Sequence, residues 1–109
     1  MATPASDIDL SPMVFTEFVS NSKRYRTDRP LVFTFEYVEE DGKGLFLFEG
    51  EYDIISGAYS REEAWDMIDD ALAVYWRDFA EADPAGLDGV AVELGEELRR
   101  RFKLVTDAS

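Results

Sequence analysis

The sequence predicts an α+β domain, a three-stranded antiparallel sheet with a helix packed on one face and a further helix at either end, in the order α-β-β-β-α-α. Three observations carry this. Residues 31–38 alternate with period two, an Asp41-Gly42 turn separates two apolar runs, and a Ser-x-x-Glu start at Ser60 opens an amphipathic segment. The 109 residues suffice for one small domain that buries about 60 to 70% of its unfolded surface. At 46% hydrophobic and 14% aromatic residues the chain is too rich in core formers to stay disordered.

Residues 1–10 are small, polar and unpatterned and read as a flexible tail, leaving residues 11–109 as the folded domain. Ser11-Pro12 has the form of an N-cap with proline at the first helical position. Val14, Phe15, Phe18 and Val19 recur at helical spacing, so residues 12–20 are expected as a short helix, with a strand as the alternative. Residues 21–30 read as a loop by their Asn, Ser, Asp and Pro content. Leu31, Phe33, Phe35 and Tyr37 then point one way and Val32, Thr34, Glu36 and Val38 the other, which describes a strand with one face committed to a core. After the Asp41-Gly42 hairpin, residues 44–49 are apolar on both faces, so this second strand should be central or covered on its second face by another chain. A third strand ends near Gly57.

Ser60 and Glu63 form a capping box for the helix that follows. At 100° per residue, Met67, Ile68, Ala71, Leu72, Val74, Tyr75 and Phe79 fall on one arc and Asp66, Asp69, Asp70 and Arg77 on the opposite side. Trp65 and Trp76 fall at a margin of that arc. They mark either a flank that meets a second subunit or partner, or a small core using its large residues to reach round the helix. Residues 88–104 read as a second helix capped by Asp88, with Val90, Leu94, Leu98 and Phe102 every four residues, weakened by about 1 kcal/mol at Gly95. Glu96 and Glu97 precede Arg100 and Arg101 by four, the favourable orientation for ion pairs. A short strand at residues 89–94 is the alternative.

The composition excludes much chemistry. With no cysteine and no histidine, disulfides, thiolate nucleophiles, Cys- or His-bound metals and Ser-His-Asp mechanisms fall away. Neither a Walker loop nor a dinucleotide fingerprint occurs, and the candidate acid pairs, Asp66 with Asp70 and Glu39 with Glu40 and Asp41, lack calcium-loop spacing. A non-enzyme without cofactor or metal is therefore expected. No secretory leader or membrane-length apolar run is recognisable, so the cytoplasm is the expected compartment, with no membrane partner. A formal charge of −13, from 24 acids and 11 bases, disfavours direct nucleic-acid binding and steers a basic partner toward the chain. Eight bases lie in two clusters, residues 23–29 and 99–103, either as solvated ends balancing nearby acids or as a local anion or partner contact.

The run at residues 31–79, with its hairpin around an acidic-glycine turn, its third strand and the helix start Ser60-Arg-Glu-Glu-Ala64, resembles the HicB-like antitoxin family. It departs from the family's pattern in the link between the second and third strands and has only some twenty residues after Gly86, too few for a C-terminal DNA-binding module. The resemblance implies a degenerate ribonuclease H-like half that masks a small basic RNA-cleaving toxin, as a homodimer. The function expected is thus an acidic antitoxin or immunity-type module whose Glu39, Glu40, Asp41, Asp66, Asp69 and Asp70, with Trp65 and Trp76, meet a basic protein partner. The alternative is an acidic nucleic-acid mimic or a structural dimerisation protein.

Overall fold

The computed structural model describes residues 8–105, so most of the expected tail lies outside the described residues. The chain is α+β. Strands β1 (Met13–Ser20), β2 (Lys23–Glu40), β3 (Lys43–Glu49) and β4 (Ile55–Ala58) form an antiparallel sheet in that order, followed by helices α1 (Arg61–Tyr75) and α2 (Gly89–Arg101) and a short β5 (Lys103–Leu104) that pairs with β2. The sheet therefore has five strands where three were expected, and the first element is a strand rather than a helix.

The helical reading of residues 12–20 failed for a local reason. Met13 and Phe15 face inward, then Phe18 and Ser20 do, so two residues, Thr16 and Glu17, stand where a regular strand has one. That slip puts the buried Phe15 and Phe18 three apart and imitates a helical repeat. The expected loop at residues 21–30 is likewise strand from Lys23 onward. Asn21 (φ 52°) and Ser22 (φ 64°) take the positive φ at two consecutive positions that a tight hairpin requires. Beyond them Tyr25 and Thr27 are buried while Lys23, Arg24, Arg26 and Asp28 point outward. Charge on every outward position disguised the alternation.

The described chain clusters into two units. Unit 1 comprises residues up to Val14 and Leu31–Ile68. In it β2 and β3 pair with Phe35 opposite Phe48, Tyr37 opposite Phe46 and Glu40 opposite Lys43, around the expected turn at Asp41 (φ 53°) and Gly42 (φ 76°). β3 is central, bonded on its other edge to β4 with Phe46 opposite Ala58 and Leu47 opposite Gly57. Leu31, Phe33, Phe35, Phe48, Ala58, Ala64 and Ile68 are buried, and the Arg61 guanidinium lies 4.7 Å over the Phe35 ring, which puts α1 on that face. Ser60 Oγ accepts from the Glu63 N–H at 3.0 Å as expected, whereas Glu63 Oε1 accepts from the Tyr59 N–H at 3.5 Å, one residue earlier than a capping box has it.

Unit 2 comprises Phe15–Pro30 and Asp69 onward. Its core is aromatic: Phe18 stacks on Tyr25 at 5.4 Å and meets Phe102 edge-on at 5.0 Å, and Tyr25 lies 4.3 Å from Trp76. Trp76 Nε1–H and Tyr25 O–H both donate to Glu81 Oε1, at 2.9 and 3.3 Å, so the polar tips of this core share one acceptor. After α1, residues 76–80 form a π-helical turn. α2 begins on the expected cap, with Asp88 Oδ1 accepting from the Ala91 N–H at 2.9 Å, and ends at Arg101 rather than 104. The four-residue repeat holds only at its end. Leu98 and Phe102 are buried and Val90 is exposed. Gly95 has a packing reason, because a Cβ there would stand 2.3 Å from the Phe79 carbonyl oxygen. The expected ion pairs of Glu96 with Arg100 and Glu97 with Arg101 are replaced by Glu97 with Arg100 and Arg29, each at 3.3 Å.

Candidate functional site

Acidic charge is unevenly distributed. Among the described residues unit 1 carries eleven acids and two bases, unit 2 eleven acids and nine bases. All eleven acids of unit 1 are exposed, as outward strand, turn and helix positions dictate. Its two bases are Arg61 and Lys43, and Arg61 is held locally. Arg61 lies over Phe35, its Nε is 3.5 Å from the Asp9 carboxylate and its Nη1 donates to the Asp9 backbone oxygen at 3.0 Å. Lys43 stands opposite Glu40 at the β2–β3 turn. Asp9 also accepts from the Ser11 hydroxyl and, at 2.9 Å, the Ser11 N–H, and these hydrogen bonds, aided by the Arg61 charge, hold its carboxyl below the ordinary carboxylate range.

The candidate residues do not converge on one site. Glu39, Glu40 and Asp41 gather at the β2–β3 turn, where Glu40, Asp41, Lys43, Leu45 and Tyr59 line a shallow concavity. Asp66 is exposed on the unit 1 part of α1, while Asp69 (half-buried) and Asp70 (exposed) belong to unit 2. Trp65 is 45% exposed. Trp76 is 7% exposed inside the aromatic core, so it is not at a margin available to a partner. The reason is geometric: the buried stripe runs Ala64, Ile68, Leu72, Trp76 at steps of four, and each such step turns about 40° beyond a full revolution. The stripe winds around α1 to the first residue of the π-helical turn, and a fixed arc drawn from Ala64 misplaces that far end. Among the described residues no group of three or more acids is arranged to hold a metal ion, and no helix is long and apolar enough to cross a membrane.

The two basic clusters come together in unit 2, where Arg26, Arg29, Arg100, Arg101 and Lys103 line one open groove with Asp28 and Glu97. Most of these cations are engaged within the unit. Arg26 pairs with Glu17 at 3.3 Å, Arg29 and Arg100 share Glu97, and Lys103 donates to the Arg99 carbonyl at 3.1 Å. Arg101, 8% exposed, donates through Nη2 to the carbonyls of Arg29 (2.9 Å) and Pro30 (3.1 Å). It serves as a backbone clamp on β2, a role that nothing in a run of three arginines distinguishes beforehand.

A feature of unit 1 only half visible in the sequence is the sheet face opposite α1. Val32, Val38, Leu47 and Ile55 are exposed there, Ile55 at 65%. The signal was the run at residues 44–49 with apolar side chains on both faces. β3 is central, the first of the two alternatives its sequence offered, and residues on its second face are exposed among the described residues. No family model, curated protein or solved structure matches the chain.

Proposed function

We propose that the chain is a non-catalytic binding protein that neutralises a basic protein partner, in the manner of a HicB-like antitoxin or immunity-type module acting on a small basic ribonuclease. The observation that carries this reading is the charge of unit 1, whose eleven exposed carboxylates among the described residues stand against two cations, of which Arg61 is engaged with Asp9 and Phe35. Such a surface draws a cationic protein in at long range and disfavours nucleic acid and acidic proteins. The absence of histidine and cysteine fits binding rather than turnover.

The test is affinity capture of the tagged chain from its native host at low and at high salt, with the bound proteins identified by mass spectrometry. One small basic protein should be enriched at low salt and lost as the screening length falls below about 8 Å. If that protein cleaves RNA, the purified chain should suppress the cleavage at equimolar ratio. Enrichment of several unrelated DNA-binding proteins would instead make the chain a nucleic-acid mimic, and enrichment of no basic protein would refute the proposal.

A further inference from the structure

Resting on that reading of a basic partner, we propose that the partner docks on the open face of the unit 1 sheet, through a surface with an apolar centre and a cationic rim. The strand register assembles this face. Val38 lies opposite Leu45, Glu36 opposite Leu47, and Leu47 opposite Gly57, while Glu49 stands between Thr34 on β2 and Ile55 on β4. The alternate residues of the same strands, Phe35, Phe48 and Ala58, are buried on the α1 side. The side chains of Leu45 and Leu47 lie across Gly57, with δ-carbons 3.2 to 3.4 Å from where a Cβ would be, so the middle of the face is low and flat. Single exposed apolar side chains are ordinary on a protein surface. A set spread over three adjacent strands of one face marks a contact surface.

Its chemistry selects the occupant. Glu36 and Glu49 stand inside the apolar field and Glu40 follows on the same face toward the turn, while Lys43, the one cation on this face among the described residues of unit 1, sits opposite Glu40 at that end. A second copy laid on the face would bring its own Glu36 and Glu49 against these, and an acidic partner would do the same. A partner presenting lysine or arginine around apolar side chains covers the valine, leucine and isoleucine surface and compensates the carboxylates together. The exposed part of α1, with Trp65 and Asp66, then lies on the other side of the sheet from the contact.

The experiment places a photo-activatable phenylalanine at Val38, Ile55, Glu62 or Trp65 of the full chain in its native host, irradiates the cells and identifies what each position captures. Position-specific capture of one Lys/Arg-rich protein from Val38 and Ile55, and not from Glu62 or Trp65, is the expected result. Capture of a basic protein only from Glu62 and Trp65 would overturn the sheet-face site while leaving the basic-partner reading standing, and capture of no basic protein from any position would overturn both. Capture of a second copy from Val38 or Ile55 would also overturn the site. With the captured protein purified, Val38→Lys combined with Ile55→Lys should weaken binding about tenfold or more and Trp65→Ala about twofold or less. Leu47→Gln, which adds no charge, guards against misfolding of the double variant and should also weaken binding. Equal effects of the sheet and helix variants would overturn the assignment.

Discussion

Gly95 sets two physical effects of opposite sign against each other. By intrinsic propensity, replacing a glycine inside a helix with alanine stabilises by up to about 1 kcal/mol. Where α2 meets the turn after α1, however, the added Cβ would stand 2.3 Å from the Phe79 oxygen and 2.9 Å from its carbonyl carbon. Both are backbone atoms, and no rotamer change moves them aside. Overpacking of that kind costs about 1 to 3 kcal/mol, and after the propensity gain of about 1 kcal/mol Gly95→Ala should come out between about neutral and 2 kcal/mol destabilising. Gly89, the first residue of α2, is the internal control, because a Cβ there meets nothing within 4 Å. Gly89→Ala should be neutral or stabilising by a few tenths to about 1 kcal/mol. Urea unfolding followed by circular dichroism gives both values, and a thermal melt should move by about 4 to 8 °C per kcal/mol in a chain of this size. Stabilisation by Gly95→Ala would refute the close approach of α2 to the Phe79 carbonyl.

Arg101→Met removes the guanidinium that two backbone carbonyls of β2 accept from and should cost about 2 to 4 kcal/mol in the same unfolding assay. Arg101→Lys should recover only part of that, because an ammonium lacks the fork that spans the Arg29 and Pro30 oxygens. Ser60→Ala and Asp88→Ala each remove a side-chain acceptor from a helix N-terminus and should cost about 1 kcal/mol apiece, additively because the caps belong to different helices. Asp9, whose carboxyl is held low by Ser11, favours its ionised form in the folded chain. Its contribution is present above the unfolded carboxyl's range and lost as pH falls through the lower folded value. A carboxyl titration by NMR should show Asp9 moving upward in Ser11→Ala, and an unchanged midpoint would remove Ser11 as the cause.

What the sequence made legible was what local chemistry decides alone. The Asp41-Gly42 hairpin, the central β3, the α1 start at Ser60 and the Asp88 cap each depend on a few adjacent residues whose backbone demands are specific. Where tertiary packing overrode the local pattern, the reading failed. Phe15 and Phe18 are both buried through a slip in strand phase, residues 23–28 are strand although their outward positions are charged, and Trp76 is drawn inward by a stripe that winds around α1. The burial of Arg101 and the shared acceptor Glu81 join residues 72 and 56 positions apart in the chain, a separation that no spacing rule spans.

The same distinction separates the sign of the proposed partner from its place. Net charge is a sum over the chain and is read directly, so the cationic sign of the proposed partner rests on composition alone. The acids themselves cannot locate it, because carboxylates occupy outward positions on strands, turns and both helices, and an acid at any of them looks the same in the sequence. The proposed location rests on the residues that break that rule. On a strand with one face in a core, every outward apolar side chain forgoes burial of about 25 cal/mol per Å² unless something covers it. Val32, Val38, Leu47 and Ile55 each do so on the face away from α1, and the register of β2, β3 and β4 gathers them around Glu36 and Glu49. A surface that is both apolar and acidic is poorly matched by nucleic acid and by its own copy, and the proposed partner, a basic protein with an apolar centre, would match it on both counts.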